Sequence, residues 1–124
     1  MKVIIAGTRT FTDYALLSRK CDAILADQSD VQIISGKCPG KDGKPGADKL
    51  GERYAAERRY NLIEMPADWS RGLSGGPIRN RAMAAQADAL IAFWDGVSPG
   101  TKNMVDEAHA AGLLIRVIII NNQP

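Results

Sequence analysis

Five short apolar runs, at residues 3–6, 31–34, 61–65, 89–94 and 114–120, alternate with four amphipathic segments along the chain. Near-continuous apolar runs of this length mark strands covered on both faces, as in a parallel sheet flanked by helices. Right-handed crossovers between such strands predict an α/β fold: a Rossmann-like three-layer sandwich with a five-stranded parallel sheet in the order 3-2-1-4-5. With 124 residues, no internal repeat and no linker, the chain reads as a single domain spanning 1–124.

The helices follow from periodicity and stop signals. Tyr14, Leu17, Cys21 and Ile24 share one helical face, with Thr12 or Asp13 as the cap. A second helix starts near Gly46-Ala47-Asp48 and places Ala47, Leu50 and Tyr54 together. Between the second strand and this helix lies KCPGKDGKPG, which reads as a mobile surface loop. Residues 67–77, which include Trp69, read as irregular, and Pro77 suits the first turn of a third helix over 79–87. A fourth helix opens at Ser98-Pro99 and ends at Gly112, and the polar tail NNQP reads as frayed.

In such sheets ligands lie outside the carboxyl ends of the strands. Those ends carry Gly7-Thr8-Arg9, Ser35-Gly36, Met65-Pro66 and Trp94-Asp95-Gly96, and three of the four combine Gly with a hydroxyl or charged residue. The fourth helix opens with Ser98, Gly100 and Thr101. Its free N–H groups and dipole can receive an anion, and a capped turn with Ser98 as N-cap explains the same residues. Arg9 suits a bidentate contact with phosphate or carboxylate, or a solvated loop. Lys37, Lys41 and Lys44 suit a basic flap or a solvated loop. Arg79 and Arg81, read in the first turns of the third helix, oppose its dipole and so call for an anion, with Asn80 beside them as donor and acceptor. Asp48 suits helix capping or a ribose hydroxyl. Trp69 and Trp94 suit base stacking or core filling. The dinucleotide fingerprint is absent from AGTRTF, and GKCPGK lacks both the spacing and the Ser/Thr of a Walker loop.

GTRTFTDY, the SG and GADKLGERYAAE segments, PADW, GPIRNRAMAAQADALIAFWDG and SPGTKNMVDEA together resemble the YspA-type branch of the SLOG superfamily, across nearly the whole chain. This superfamily includes the LOG phosphoribohydrolases and the DNA-processing protein A group. The resemblance implies a Rossmann-like fold that binds a nucleotide or nucleotide-derived ligand at the strand ends. Arg79 in RNRAM is similar to the LOG arginine. Two departures stand out. Where LOG enzymes carry the glutamate of PGGxGTxxE, this chain has Met104, with Glu107 three residues on. The loop over 37–45 is also longer than the SGxAxGAD turn of the branch.

Binding as a sensor, carrier or sequestering protein is therefore the leading expectation. The alternative is N-glycosidic hydrolysis, with Arg79, Asp48, Asp95 and Glu107 as candidate catalytic groups. Single-stranded nucleic-acid binding is the weakest reading, because the net charge of +2 and an aromatic content of 6% offer no basic, aromatic groove. No apolar run is long enough to span a bilayer, and MKVIIAG reads as a strand rather than a signal peptide. Cys21, Cys38 and the single His109 give no disulfide framework and no metal spacing. A cytoplasmic protein without cofactor or metal is expected, with a homo-oligomer among its allowed assemblies.

Overall fold

The structure, a computed structural model, describes residues 1–120; the tail expected to fray lies outside them. The strands are β1 (Lys2–Gly7), β2 (Gln32–Ser35), β3 (Asn61–Glu64), β4 (Ala89–Trp94) and β5 (Leu114–Ile119). The helices are α1 (Tyr14–Ile24), α2 (Gly46–Arg58), α3 (Gly75–Gln86) and α4 (Pro99–Ala110). All neighbouring strands pair in parallel, in the order β3-β2-β1-β4-β5.

Alternation along the strands builds a separate core on each face. On one, Val3, Ile5, Ile33, Ile91 and Phe93 pack with Leu17 and Cys21 of α1 and Leu50 and Tyr54 of α2. On the other, Ile4, Ala6, Ile34, Leu90 and Ala92 pack with Met83 of α3 and with Met104 and Ala108 of α4. The sandwich is therefore doubly wound, and the turn out of β1 leads to one face while the turn out of β4 leads to the opposite face. The expected fold class and strand order are both present.

Of the two expected caps of α1, Asp13 is the one used, accepting from the Leu16 N–H at 3.0 Å, and one local boundary differs. Residues expected to be irregular instead form a 3-10 segment, Trp69–Ser74, which runs directly into α3 four residues before the expected start. Asp68 caps this segment, and Gly72, with φ of 69°, makes a kink within it. Glycines at 72, 75 and 76 hid the helix start, because they lower helix propensity in any sequence window. Arg79 and Arg81 thus stand in the second turn of α3, beyond the reach of its free N–H groups, and the dipole gives no reason to expect an anion beside them.

Candidate functional site

The carboxyl ends of β1, β2 and β4 meet at Gly7, and the candidate crevice is the space outside them. A Cβ on Gly7 would run into the Phe93 carbonyl of β4 and the Ala47 side chain of α2, so only glycine lets these three elements meet. Thr8 follows and is buried; its N–H donates to Phe93 O at 2.9 Å and its hydroxyl accepts from Asp95 N–H at 3.1 Å. The turns after β1 and β4 are thereby fixed to each other.

The turn after β4 is held by Asp95. Its carboxylate accepts from the N–H groups of Val97 and Ser98 at 2.9 and 2.8 Å and from the Ser98 hydroxyl at 2.9 Å. Burial would raise this carboxyl, but these donors outweigh it and keep it below the usual carboxylate range. Gly96 takes a positive φ of 86°, which completes the turn. Trp94 covers the turn from outside, its indole N–H donating to Ser98 O at 3.0 Å. Ser98 stands at the N-cap of α4, as expected, yet its hydroxyl is turned to Asp95 and does not cap the helix. Pro99 has no N–H. The amides of Gly100 and Thr101 have no partner among the described residues, and a Cβ on Gly100 would meet open space.

The start of α2 is different. The N–H groups of Gly46 and Ala47 donate to Phe11 O and Thr8 O at 3.0 and 3.1 Å, so the loop after β1 occupies that helix terminus. Gly46, with φ of 79°, makes room for Arg9, whose carbonyl a Cβ would meet at 2.8 Å. Asp48 is buried and does not cap its own helix; it accepts from the Cys38 N–H at 3.0 Å and so holds the loop over 37–45. Burial pushes the Asp48 carboxyl up to about 6; the Cys38 N–H and the Arg79 charge pull against this, and Glu52 adds to it.

Arg79 reaches from α3 into the β2 end. Its guanidinium donates to Gly36 O and, at 2.9 Å, to Asn80 Oδ1. A side chain on Gly36 would collide with it, at 2.6 Å from Nη1. Buried Asn80 passes the chain on to α4, donating to Asn103 Oδ1 at 2.8 Å. Ser35, also buried, donates to Glu52 Oε2 at 2.6 Å and accepts from Lys37 N–H at 3.1 Å. Sequence reasoning missed Glu52 and Asn103. Glu52 lies one turn after Asp48 on α2, a spacing that could have revealed it; Asn103 has no such local signal.

Several candidates stand elsewhere. Arg9 turns to the loop, with Nε donating to Pro39 O at 2.8 Å and Nη2 to Gly40 O at 3.4 Å. Lys37 pairs with Glu52 and Glu64 at 3.2 and 3.7 Å. Glu107 pairs with Arg81 across α3 and α4 at 3.3 Å, while Met104 is 1% exposed and belongs to the core. Trp69 is 56% exposed, so it does not fill the core. Among the described residues no group of three or more His, Cys, Asp or Glu is placed to hold a metal ion, and no helix is long and apolar enough to cross a membrane.

The family model described as "YspA, cpYpsA-related SLOG family" matches residues 1–72, which carry the β1 turn, Ser35-Gly36 and Asp48. The Gene 61 protein of Mycobacterium phage D29 is 30% identical over 131 residues, covering 99% of this chain and 98% of that protein. Its match therefore extends over the α3 and α4 segments as well. No solved structure matches the chain.

Proposed function

Because the chain belongs to the YspA, cpYpsA-related SLOG family, we propose that it binds a nucleotide or nucleotide-derived ligand in this crevice. In this reading the phosphate lies on the open N-terminus of α4, and the sugar and base lie toward Ser35, Gly36 and Arg79. Family membership supports a nucleotide-related ligand in general. The observation that carries the finer reading is the contrast between two helix starts on one crevice. The α2 amides are spent on carbonyls of the β1 loop, whereas those of Gly100 and Thr101 have no partner among the described residues, and the Gly100 Cβ position faces open space. Two such amides and a helix dipole form an anion site.

Gly100→Asp tests this without harming the fold. A carboxylate in the first turn favours the helix by about 0.3–1 kcal/mol. The same carboxylate repels a phosphate placed there. Thermal melting is expected to be unchanged or higher. Calorimetry with a panel of nucleoside monophosphates and their nucleosides is expected to show at least a tenfold loss, ~1.4 kcal/mol, for the monophosphates alone. Equal losses for both classes, or no loss, would move the phosphate away from α4. A native mass spectrum of freshly purified protein would identify any co-purified ligand.

N-glycosidic hydrolysis has one observation in its favour. The buried Asp48 carboxyl, raised to about 6 and electrostatically coupled to Arg79, has the proton affinity of a general acid.

A further inference from the structure

The two edges of the sheet are finished differently. β3 ends in Asn61 and Glu64, and Glu64 pairs with Lys37, so polar groups guard that edge. β5 reads LIRVII, with one charge. Leu114, Val117 and Ile119 are 60%, 38% and 66% exposed. On the α1 side of this strand a furrow is lined by Met1, Ile24, Leu25 and Leu114, with Gln28 and Arg116 at its polar margin.

The backbone of β5 fixes which groups face outward. Leu114 N–H donates to Asp88 O at 3.1 Å and Ile120 N–H to Trp94 O at 2.8 Å. In a parallel ladder alternate residues turn both peptide groups to the same neighbour. The even-numbered residues of β5 therefore serve β4. Ile115, Val117 and Ile119 point their N–H and C=O groups away from the sheet; the Ile115 carbonyl accepts from the Arg116 guanidinium at 3.2 Å, and its second lone pair is left for a further donor.

We propose that this edge pairs with the same edge of a second copy, antiparallel, about a two-fold axis through Val117, joining the two sheets into one. The occupant follows from self-complementarity. A two-fold axis normal to the sheet keeps like faces together, so the axis must pass through a residue rather than between two. Centred on Val117, it sets Val117 against Val117 and Ile115 against Ile119 of the other copy, each pair exchanging two N–H···O bonds from the outward groups. Arg116 then lies opposite Ile118. Centred on Arg116, the same strand would set two like charges face to face, which is destabilising. The Val117 register satisfies the edge and separates the charges.

Sedimentation equilibrium of the full chain is expected to give twice the 13.4 kDa of one copy, and Val117→Lys is expected to return it to a single copy with its thermal melt retained. Hydrogen exchange on the unaltered protein gives a reading that needs no variant. The amides of Ile115, Val117 and Ile119, unbonded within one copy, are expected to be protected. A single-copy mass at every concentration would overturn the proposal. So would rapid exchange of those three amides in a doubled-mass species, or a Val117→Lys protein that keeps the doubled mass.

Discussion

Asp48 shows how one buried side chain couples the loop, the crevice and stability. Its carboxyl keeps a proton to about pH 6 when folded, against an ordinary value of 3.8, chiefly because burial penalises the charge. The folded state therefore binds more protons than the unfolded chain between these values, and stability falls as pH rises through that window. A shift of about two pH units corresponds to about 3 kcal/mol. Carboxylates held low, such as Asp95 and Asp22, act with the opposite sign and lose their contribution only as pH falls below about 4. Urea midpoints between about pH 5 and pH 7 are thus expected to decline with pH. Asp48→Asn is expected to flatten that decline and to be at least as stable as the parent at neutral pH, since the amide still accepts from Cys38 N–H. A slope that survives the substitution would place its source elsewhere. At Gly36 the expectation is simpler: Gly36→Ala forces the Arg79 guanidinium out of its contact with the Gly36 carbonyl and weakens any ligand that Arg79 holds.

The loop over 37–45 is the element whose composition most misleads. Its Gly-, Pro- and Lys-rich sequence reads as mobile, yet it is tied at several points: Cys38 N–H to Asp48, Lys41 N–H to Arg9 O at 3.1 Å, Arg9 Nε to Pro39 O and Gly46 N–H to Phe11 O. Amide exchange is expected to be slow at Cys38, Lys41 and Gly46 and fast at the tip, where Gly43 has nothing within 4 Å of its Cβ position. Uniformly fast exchange would show that these ties do not persist in solution. The strands were legible because apolar runs report burial directly, and the doubly wound order then placed Gly7, Ser35, Gly36 and Asp95 on one edge without further information. What was illegible depends on partners remote in sequence. Arg9 was read toward an anion, because nothing near it in the chain reveals the Pro39 and Gly40 carbonyls. Ser98 is the exception: it stands at the N-cap as its residue type implies, and a local competitor, Asp95, three residues back, takes its hydroxyl. The start of α3 was hidden by glycines that close packing requires, since a Cβ on Gly75 would meet the Asp68 carbonyl at 2.3 Å.

For the molecule as a whole, the distribution of carboxylates decides whether binding leads to chemistry. Hydrolysis of an N-glycosidic bond needs a carboxyl that donates a proton or stabilises a cationic sugar beside the bound ligand. Met104, which the resemblance to LOG enzymes aligns with that group, is buried in the core that α3 and α4 form with the sheet. Glu107 is engaged with Arg81 at 3.3 Å, and a catalytic group misplaced by ~1 Å can cost about 100-fold in rate. Asp95 is saturated by the Val97 and Ser98 donors and held as the anion, so it has no proton to give. Asp48 keeps a proton to about pH 6, but its carboxyl group is turned to the Cys38 amide behind the loop. Incubation with nucleoside monophosphates and dinucleotides is therefore expected to release no free base above the uncatalysed level. Turnover abolished by Asp48→Asn and retained in Glu107→Gln would mean that the loop opens to bring Asp48 to the ligand. Turnover with the reverse dependence would mean that the Arg81 pair yields Glu107 to the crevice. Either result would make the chain an enzyme whose acid stands away from the LOG glutamate position that Met104 resembles.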